Sequence, residues 1–176
     1  MKKTWMNPKI SVLKSKIQGK GMFASSEINE NEVIVIWGGK GYVNKEEAEK
    51  ILKEGKHLMQ WDDDVYSYDA GEENQDIFSI NHSCDPNAWM KDAYTIIARK
   101  DIKKYEEITT DYALWECNEL YVFPWLCNCN SKQCRKQITG KDWKNLTIQN
   151  YYKGHFSPLI QKLINEHLSL AINLIQ

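Results

Sequence analysis

Short apolar runs rich in β-branched residues recur along the first two thirds of the chain. They occupy residues 10–13, 32–37, 65–68, 94–98 and 108–111. Such runs, bounded by polar residues or glycine, are typical of β-strands, whereas helices need longer segments with a period of 3.6. The pattern therefore predicts a mainly β protein built from short strands.

One segment in the first third carries a helix signal. Asn44 precedes residues 45–52, whose apolar positions 48, 51 and 52 form only a narrow stripe. Asparagine is a favoured N-cap, and a narrow stripe is typical of a helix on the surface. We expect a capped surface helix that ends near Gly55.

The C-terminal region carries two more helix signals. Asp142 is a candidate cap for a short helix that runs to Tyr152 and is stopped by Gly154. Ser157 and Pro158 suit the cap and the first turn of a last helix. The predicted apolar face of that last helix comprises Ile160, Leu163, Ile164, His167, Leu168, Ala171, Ile172 and Ile175.

Composition sets limits on partners. The 176 residues suffice for one domain with a core, and 42% hydrophobic and 27% charged residues are ordinary for a globular protein. A net charge of −1 gives no global attraction to nucleic acid or to an anionic membrane. No run approaches the ~20 apolar residues that span a bilayer, and Met1-Lys2-Lys3 is not followed by the apolar run of a signal peptide. We expect no membrane, no direct nucleic-acid partner and no secretion by a signal peptide.

A glycine motif, Gly19-x-Gly21-x-x-Ala24, formally matches the dinucleotide-binding fingerprint. That fingerprint requires a helix directly after the glycines, because the pyrophosphate sits on the helix N-terminus. Here residues 25–32 read as a turn followed by a strand. The dinucleotide interpretation fails, and the residues alone favour a tight β-turn.

The cysteines point to a metal. Cys127-x-Cys129-x4-Cys134 places three thiols within eight residues, a spacing that suits tetrahedral zinc. A fourth ligand is missing, and both Cys84 and Cys117 qualify on chemistry alone. Five cysteines in a chain without an export signal favour reduced thiols or a metal over disulfides.

Two strings carry most of the functional information. The first is Asn81-His82-Ser83-Cys84-Asp85-Pro86-Asn87, and the second is Glu106-Glu107-Ile108-Thr109-Thr110-Asp111-Tyr112. With the glycine motif upstream, they resemble the SET-domain protein-lysine methyltransferases over residues 9–135. The resemblance implies the SET β-fold, several small curved sheets with short helices around a pseudoknot in which the chain near Tyr112 threads past the NHSC segment, residues 81–84.

The resemblance also divides the chain. It implies a SET domain at residues 9–115, a zinc-binding post-SET tail at 116–140 and a C-terminal helical extension at 141–176, similar to the extension of small prokaryotic SET proteins. In post-SET tails the fourth zinc ligand is the cysteine of the NHSC segment, which nominates Cys84 and leaves Cys117 as a spare thiol. Four thiolates leave the metal no open position, so the implied zinc is structural.

The resemblance assigns roles residue by residue. Asn81 and His82 hold the adenosyl group of S-adenosylmethionine, and Tyr112 orients the transferred methyl group and the attacking amine. Position 110 is usually Phe or Tyr in the family, so Thr110 implies a roomier lysine channel. Tyr66 is a candidate for the wall of that channel. An ordinary strand with tyrosine on one face is an equally good interpretation of Tyr66. The implied cofactor-binding set is Lys20, Gly21, Met22, Asn81, His82, Tyr112 and Leu126, and the implied zinc ligands are Cys84, Cys127, Cys129 and Cys134.

The implied function is methyl transfer from S-adenosylmethionine to a lysine side chain of a protein, either a histone or another protein. From a different class, a catalytically silent SET module would bind a partner protein through its zinc tail, and the intact Asn81, His82 and Tyr112 argue against it. The expected partner is a protein that presents a lysine, and the expected state is a monomer or a weak homodimer through the last helix. We expect the protein in the cytoplasm of a prokaryotic cell or the nucleus of a eukaryotic one.

Overall fold

The computed structural model describes residues 3–38, 41–54, 58–68 and 75–173, with the backbone alone at 75 and at 170–173. Within these residues the strands are β1 (Trp5–Met6), β2 (Ile10–Lys14), β3 (Lys20–Ala24), β4 (Val33–Ile36), β5 (Tyr42–Val43), β6 (Leu58–Asp62), β7 (Val65–Tyr68), β8 (Asn81–His82), β9 (Ala88–Met90), β10 (Thr95–Ala98) and β11 (Glu107–Thr110). The α-helices are α1 (Lys45–Lys53), α2 (Leu146–Tyr151) and α3 (Pro158–Asn173), and 3-10 turns lie at Gln75–Phe78, Tyr112–Leu114 and Asp142–Lys144. The prediction of a mainly β protein with a few short helices is confirmed.

The described strands form three small sheets. One has the order β1-β4-β10-β9, a second β2-β3-β11-β8, and a third β5-β7-β6. All neighbours pair antiparallel except β8 and β11, which run parallel with Asn81 opposite Thr109 and His82 opposite Thr110. Many small sheets instead of one large one are consistent with the SET β-fold.

The parallel pair brings the two informative strings together. The Ser83 N–H donates to the Thr110 carbonyl at 2.9 Å, which extends the β8–β11 pairing by one residue. A parallel pair requires a long connection between its strands, and here that connection carries β9 and β10. The contact between the NHSC segment and the chain near Tyr112, which the predicted pseudoknot requires, is therefore present.

A continuous apolar core lies between the first two sheets and the C-terminal extension. Met22, Ile34, Ile96 and Ile108 are fully buried in it, and Ile160 of α3 packs against the same cluster. A second, smaller cluster comprises Cys84, Phe123, Cys127 and Ile138. The smaller cluster gives the cysteine-rich tail a core of its own.

Helix α1 follows its sequence signal. Asn44 Oδ1 accepts the Glu47 N–H at 2.9 Å, and the Glu47 carboxylate accepts the Asn44 N–H at 3.3 Å, a capping box. Ala48 is the buried residue of α1, so its placement on the surface is confirmed. Gly55, where we expected the helix to end, lies outside the described residues.

The C-terminal region corrects one prediction and confirms another. Asp142 does not cap a helix, since it begins the 3-10 turn Asp142–Lys144 and its carboxylate accepts from other side chains. Asn145 caps α2 instead, with its Oδ1 accepting the Thr147 N–H at 2.8 Å. Ser157 caps α3 as predicted, accepting the Ile160 N–H at 3.2 Å. The side chains predicted at positions 171, 172 and 175 of that apolar face lie outside the described residues.

The glycine motif is not a tight turn. Residues 20–24 form β3, paired with β2 on one side and β11 on the other. Within the motif, only Gly19, with φ of 46°, has the left-handed conformation that favours glycine.

None of the described helices is both long and apolar enough to cross a lipid bilayer.

Candidate active site

A cavity of about 250 Å³ lies where β3, β8 and the turn after β11 meet the tail. Its lining combines polar side chains and backbone with the aromatic faces of Phe78, Phe123 and Trp125. Four residues predicted for the cofactor site lie together in its wall: Lys20, Asn81, His82 and Tyr112.

Asn81 is tied to the edge of this cavity. Its buried amide nitrogen donates to the Gln18 carbonyl at 3.1 Å, the Lys20 carbonyl at 2.9 Å and Glu107 Oε1 at 2.8 Å. Residues 18–20 also line the cavity. The asparagine therefore joins β8 to the loop that precedes β3.

At position 21, a neighbouring side chain leaves no room for a Cβ. A Cβ there would clash with Glu107 Oε1 and approach Asn81 Nδ2 to 3.0 Å. The SET resemblance places Gly21 in the cofactor-binding set, but Gly21 lies outside the cavity lining. In this structure, the space that Gly21 leaves is taken by the Glu107 carboxylate.

His82 connects the tyrosine to the cysteines. The Tyr112 N–H donates to His82 Nδ1 at 3.3 Å, and His82 Nε2 lies 3.3 Å from Cys84 Sγ. Burial lowers the pKa of His82 to about 4, so the ring is neutral at pH 7. Because Nδ1 accepts, the proton is on Nε2, which donates to the Cys84 sulfur.

Tyr112 is held with its hydroxyl protonated. Its Oη donates to the Ile80 carbonyl at 3.0 Å, and its ring contacts Trp115 and Phe123 with centroids 5.5 and 5.1 Å away. Burial raises the pKa of Tyr112 to about 12. The hydroxyl is a fixed dipole at neutral pH and is not a base.

A buried ion pair secures the turn that carries the tyrosine. Asp111 is 0% exposed and accepts from Arg135 Nη1 and Nη2, both at 2.7 Å, and from Tyr152 Oη at 3.0 Å. Arg135 Nε donates in turn to Asp142 at 2.9 Å. Our sequence reasoning missed this network, although Asp111 and Arg135 directly neighbour Tyr112 and the metal-ligand candidate Cys134 in the chain.

The four nominated cysteines converge. The sulfurs of Cys84, Cys127, Cys129 and Cys134 all lie within 4.8 Å of one another. Four sulfurs bound to zinc at ~2.3 Å would be ~3.8 Å apart, so the cluster needs little contraction. Cys117 lies elsewhere, with its thiol donating to Gln60 Oε1 at 3.3 Å.

The other predicted site residues do not line this cavity. Met22 is a core residue of β3, and Leu126 is 67% exposed while its neighbour Trp125 lines the cavity instead. Thr110 is fully buried, and its hydroxyl has no hydrogen-bond partner in the described part of the chain. Tyr66 lines a second cavity of about 480 Å³. No observation tests the roles assigned to these residues, which stay predictions.

Several lining residues were missed. Ile17, Asn128 and Ile138 carry no sequence signal, because apolar and amide side chains of this kind are common in any loop or strand. Phe78 stands three residues before Asn81 in the chain. Phe123 precedes the first tail cysteine, and its aromatic character next to a predicted metal site was a usable signal.

Comparisons with known proteins identify the family. The SET domain profile matches residues 19–113, more than half of the chain, and the chain belongs to the SET domain family. It is 30% identical over 150 residues to "Histone-lysine N-methyltransferase trr" of Drosophila melanogaster, covering 77% of this chain and 6% of that protein. It is 30% identical over 139 residues to "Histone-lysine N-methyltransferase 2B" of Homo sapiens, covering 72% and 5%.

A third relative has a more specific name. "Histone-lysine N-methyltransferase, H3 lysine-36 specific" of Candida albicans is 29% identical over 146 residues, 76% of this chain and 17% of that protein. The chain thus spans less than a fifth of the length of each of these three relatives. What it shares with them is the segment that contains the SET domain.

Proposed function

We propose that the chain transfers methyl groups from S-adenosylmethionine to a lysine side chain of a protein. The observation that carries this proposal is the common cavity of Asn81, His82 and Tyr112, three residues that the SET resemblance assigns to cofactor and methyl transfer. Similarity to histone-lysine N-methyltransferases supports the same reaction class. A histone or another lysine-bearing protein is the proposed partner.

The residues around the cavity fit the cofactor. Phe123 and Trp125 offer aromatic faces for a purine, and Asn81 and His82, which the resemblance assigns to the adenosyl group, lie in the same wall as residues 18–20. When bound, S-adenosylmethionine supplies an electrophilic methyl group on a positively charged sulfur. The chain's part is to hold that group beside Tyr112.

Catalysis by these residues is mostly alignment. Tyr112 Oη, fixed by its bond to the Ile80 carbonyl, can hold a polarised methyl group by C–H···O contact while an amine attacks in line. Neither His82 nor Tyr112 is a base here. The neutral His82 ring accepts the Tyr112 N–H at Nδ1 and faces Cys84 Sγ with Nε2, and the pKa of Tyr112, about 12, keeps its hydroxyl protonated. The lysine ammonium, with a reference pKa of ~10.4, therefore loses its proton to water.

The tail is proposed to hold a structural zinc ion. Cys84, Cys127, Cys129 and Cys134 would be the four ligands, with donors from the His82 ring and the Arg135 N–H, 3.3 Å from Cys84 Sγ, supporting the sulfur. Four thiolates close the coordination sphere, so the metal would fold the tail over the cavity and take no part in methyl transfer.

The division of the chain remains part of this proposal. We assign residues 9–115 to the SET domain, 116–140 to the post-SET tail and 141–176 to the C-terminal extension. We propose a monomer or a weak homodimer through the last helix, in the cytoplasm if the protein is prokaryotic and in the nucleus if it is eukaryotic.

Labelled cofactor tests the proposal directly. Incubation with histones and with cell lysate should label a protein substrate on lysine, as identified by mass spectrometry. Tyr112→Phe should reduce kcat on the order of 100-fold with cofactor affinity close to wild type, since only the aligning oxygen is lost. Calorimetry that detects no cofactor binding by the wild type would favour the silent module instead.

A further inference from the structure

Glu107 belongs to the second sequence string, but methyl transfer as described above gives it no role. It begins β11, and its carboxylate points into the wall between β3 and β8. Ser15 Oγ donates to Glu107 Oε1 at 2.7 Å and lies 3.0 Å from Oε2, while Asn81 Nδ2 donates to Oε1 at 2.8 Å. One carboxylate thus contacts two segments that surround the cavity.

The serine contact extends to the loop beside the cavity. Ser15 Oγ accepts the Ile17 N–H at 2.8 Å, and the Ser15 N–H donates to the Gly19 carbonyl at 2.9 Å. These bonds close residues 15–19 into a compact loop, of which residues 17–19 line the cavity. The shape of that loop therefore depends on a serine that Glu107 holds.

The contact with Glu107 holds the nitrogen end of the Asn81 side-chain amide toward the protein. Asn81 Nδ2 has two hydrogens and three surrounding acceptors, of which only Glu107 is a carboxylate. A charged acceptor forms the stronger hydrogen bond, so Glu107 strengthens the orientation of the amide that the Gln18 and Lys20 carbonyls also favour. With the nitrogen committed to the protein, the amide oxygen is the atom that Asn81 can offer to a ligand.

We propose that Glu107 is the positioning residue of the cofactor cavity, which orients the Asn81 amide and holds the 15–19 loop at once. The proposal rests on the proposed function for the identity of the ligand, but not for the positioning itself. It also gives a reason for glycine at position 21, because a Cβ there would clash with Glu107 Oε1 and the carboxylate would have to shift.

The chain supplies a matched control. Glu106 directly precedes Glu107, but it accepts from Asn87 Nδ2 at 3.0 Å and from the Lys103 N–H at 3.1 Å. Neither Asn87 nor Lys103 lines the cavity. Glu106→Ala therefore removes the neighbouring carboxylate, directly before β11, without touching the cavity wall.

Calorimetry with S-adenosylmethionine compares the effects of the Glu107 and Glu106 carboxylates on cofactor affinity. Glu107→Ala should weaken binding on the order of tenfold or more, as expected for loss of a hydrogen bond to a charged group. Glu107→Gln should stay within about threefold of wild type, because its amide oxygen can still accept from Asn81 and Ser15. Glu106→Ala should match wild type. Equal losses in the two alanine variants, or no loss in Glu107→Ala, would overturn the positioning role.

Hydrogen exchange on the cofactor-free protein tests the same role without any ligand. The amide of Ile17 should exchange on the order of tenfold faster in Glu107→Ala and at the wild-type rate in Glu106→Ala. Unchanged exchange in both variants would refute the hold on the loop. A wild type that fails to bind the cofactor while Glu107→Ala still loosens the loop would refute the proposed function and leave the positioning role standing.

Discussion

The site residues predicted from the sequence lie in two different cavities of this protein. The first, between β3, β8 and the tail, contains Asn81, His82 and Tyr112 together. The second, between α1, the β6–β7 hairpin and α3, contains Tyr66 and also Cys117. Asn81, His82 and Tyr112, which come from contiguous motifs, lie together, whereas Tyr66, chosen by analogy from an isolated strand, lies in a separate cavity.

The difference has a physical cause. Asn81 and His82 in the first region are buried and must be paired, and their partners come from distant segments, as when Asn81 bonds to Gln18 at a separation of 63 residues. The second region also has long-range contacts, such as that of Lys162 with Asp62 at a separation of 100 residues, but those two side chains are exposed. Burial of the paired groups therefore restricts the type and the position of Asn81 and His82 more strongly than exposure restricts Lys162.

The cysteines offer the strongest test of this contrast. The protein should carry about one zinc per chain, and Cys129→Ser should release it and unfold the tail, because structural zinc contributes on the order of 10 kcal/mol to folding of its site. Cys117→Ser, in the second cavity, should leave zinc content unchanged. Metal analysis with proteolysis of the tail measures both effects. Release from Cys117→Ser with retention in Cys129→Ser would reverse the ligand assignment.

Two ion pairs give the next largest contrast. Arg135→Ala leaves the buried Asp111 carboxylate without its cation, and it should lower the free energy of unfolding by roughly 3 kcal/mol or more. Lys162→Ala removes a cation that pairs with Asp62 and Asp63 at the surface of the second region, and its unfolding midpoint should stay at the wild-type value. Denaturant titration followed by tryptophan fluorescence measures the unfolding midpoint of both variants. Equal midpoint shifts would contradict the conclusion that the buried ion pair contributes more stability than the exposed one.

Ligand binding sharpens the comparison further. Asn81→Ala should weaken S-adenosylmethionine binding on the order of tenfold, since a buried polar group of the cavity wall is lost. Tyr66→Phe should leave cofactor affinity unchanged and, as a wall of the predicted lysine channel, raise KM for the protein substrate. Calorimetry and steady-state kinetics provide the two readouts. A cofactor effect of Tyr66→Phe would show that the two cavities communicate.

Much of the fold and of the site follows from the sequence, and the failures share a cause. Local signals located the cap at Asn44, the cap at Ser157 and the strand at 65–68. The short strand β8 carries no periodic signal over two residues, and Asp142 was taken for a cap because its partner Arg135 is recognisable only once the tail is folded. What the sequence hid are long-range pairings, of which the Glu107 contacts with Ser15 and Asn81 are the functional example.

The smallest expected effect lies in the second region, at the cap of α1. Asn44→Ala removes the side-chain acceptor of the Glu47 N–H and should lower the free energy of unfolding by about 1 kcal/mol. Asn44→Asp should stay close to wild type, because aspartate accepts the same bond and suits the positive end of the helix dipole. Since the contacts of Asn44 with described residues do not reach the first cavity, cofactor affinity should be unchanged in both variants. A loss of affinity in Asn44→Ala would mean that α1 and the first cavity are coupled, and that the two regions do not respond separately to local changes.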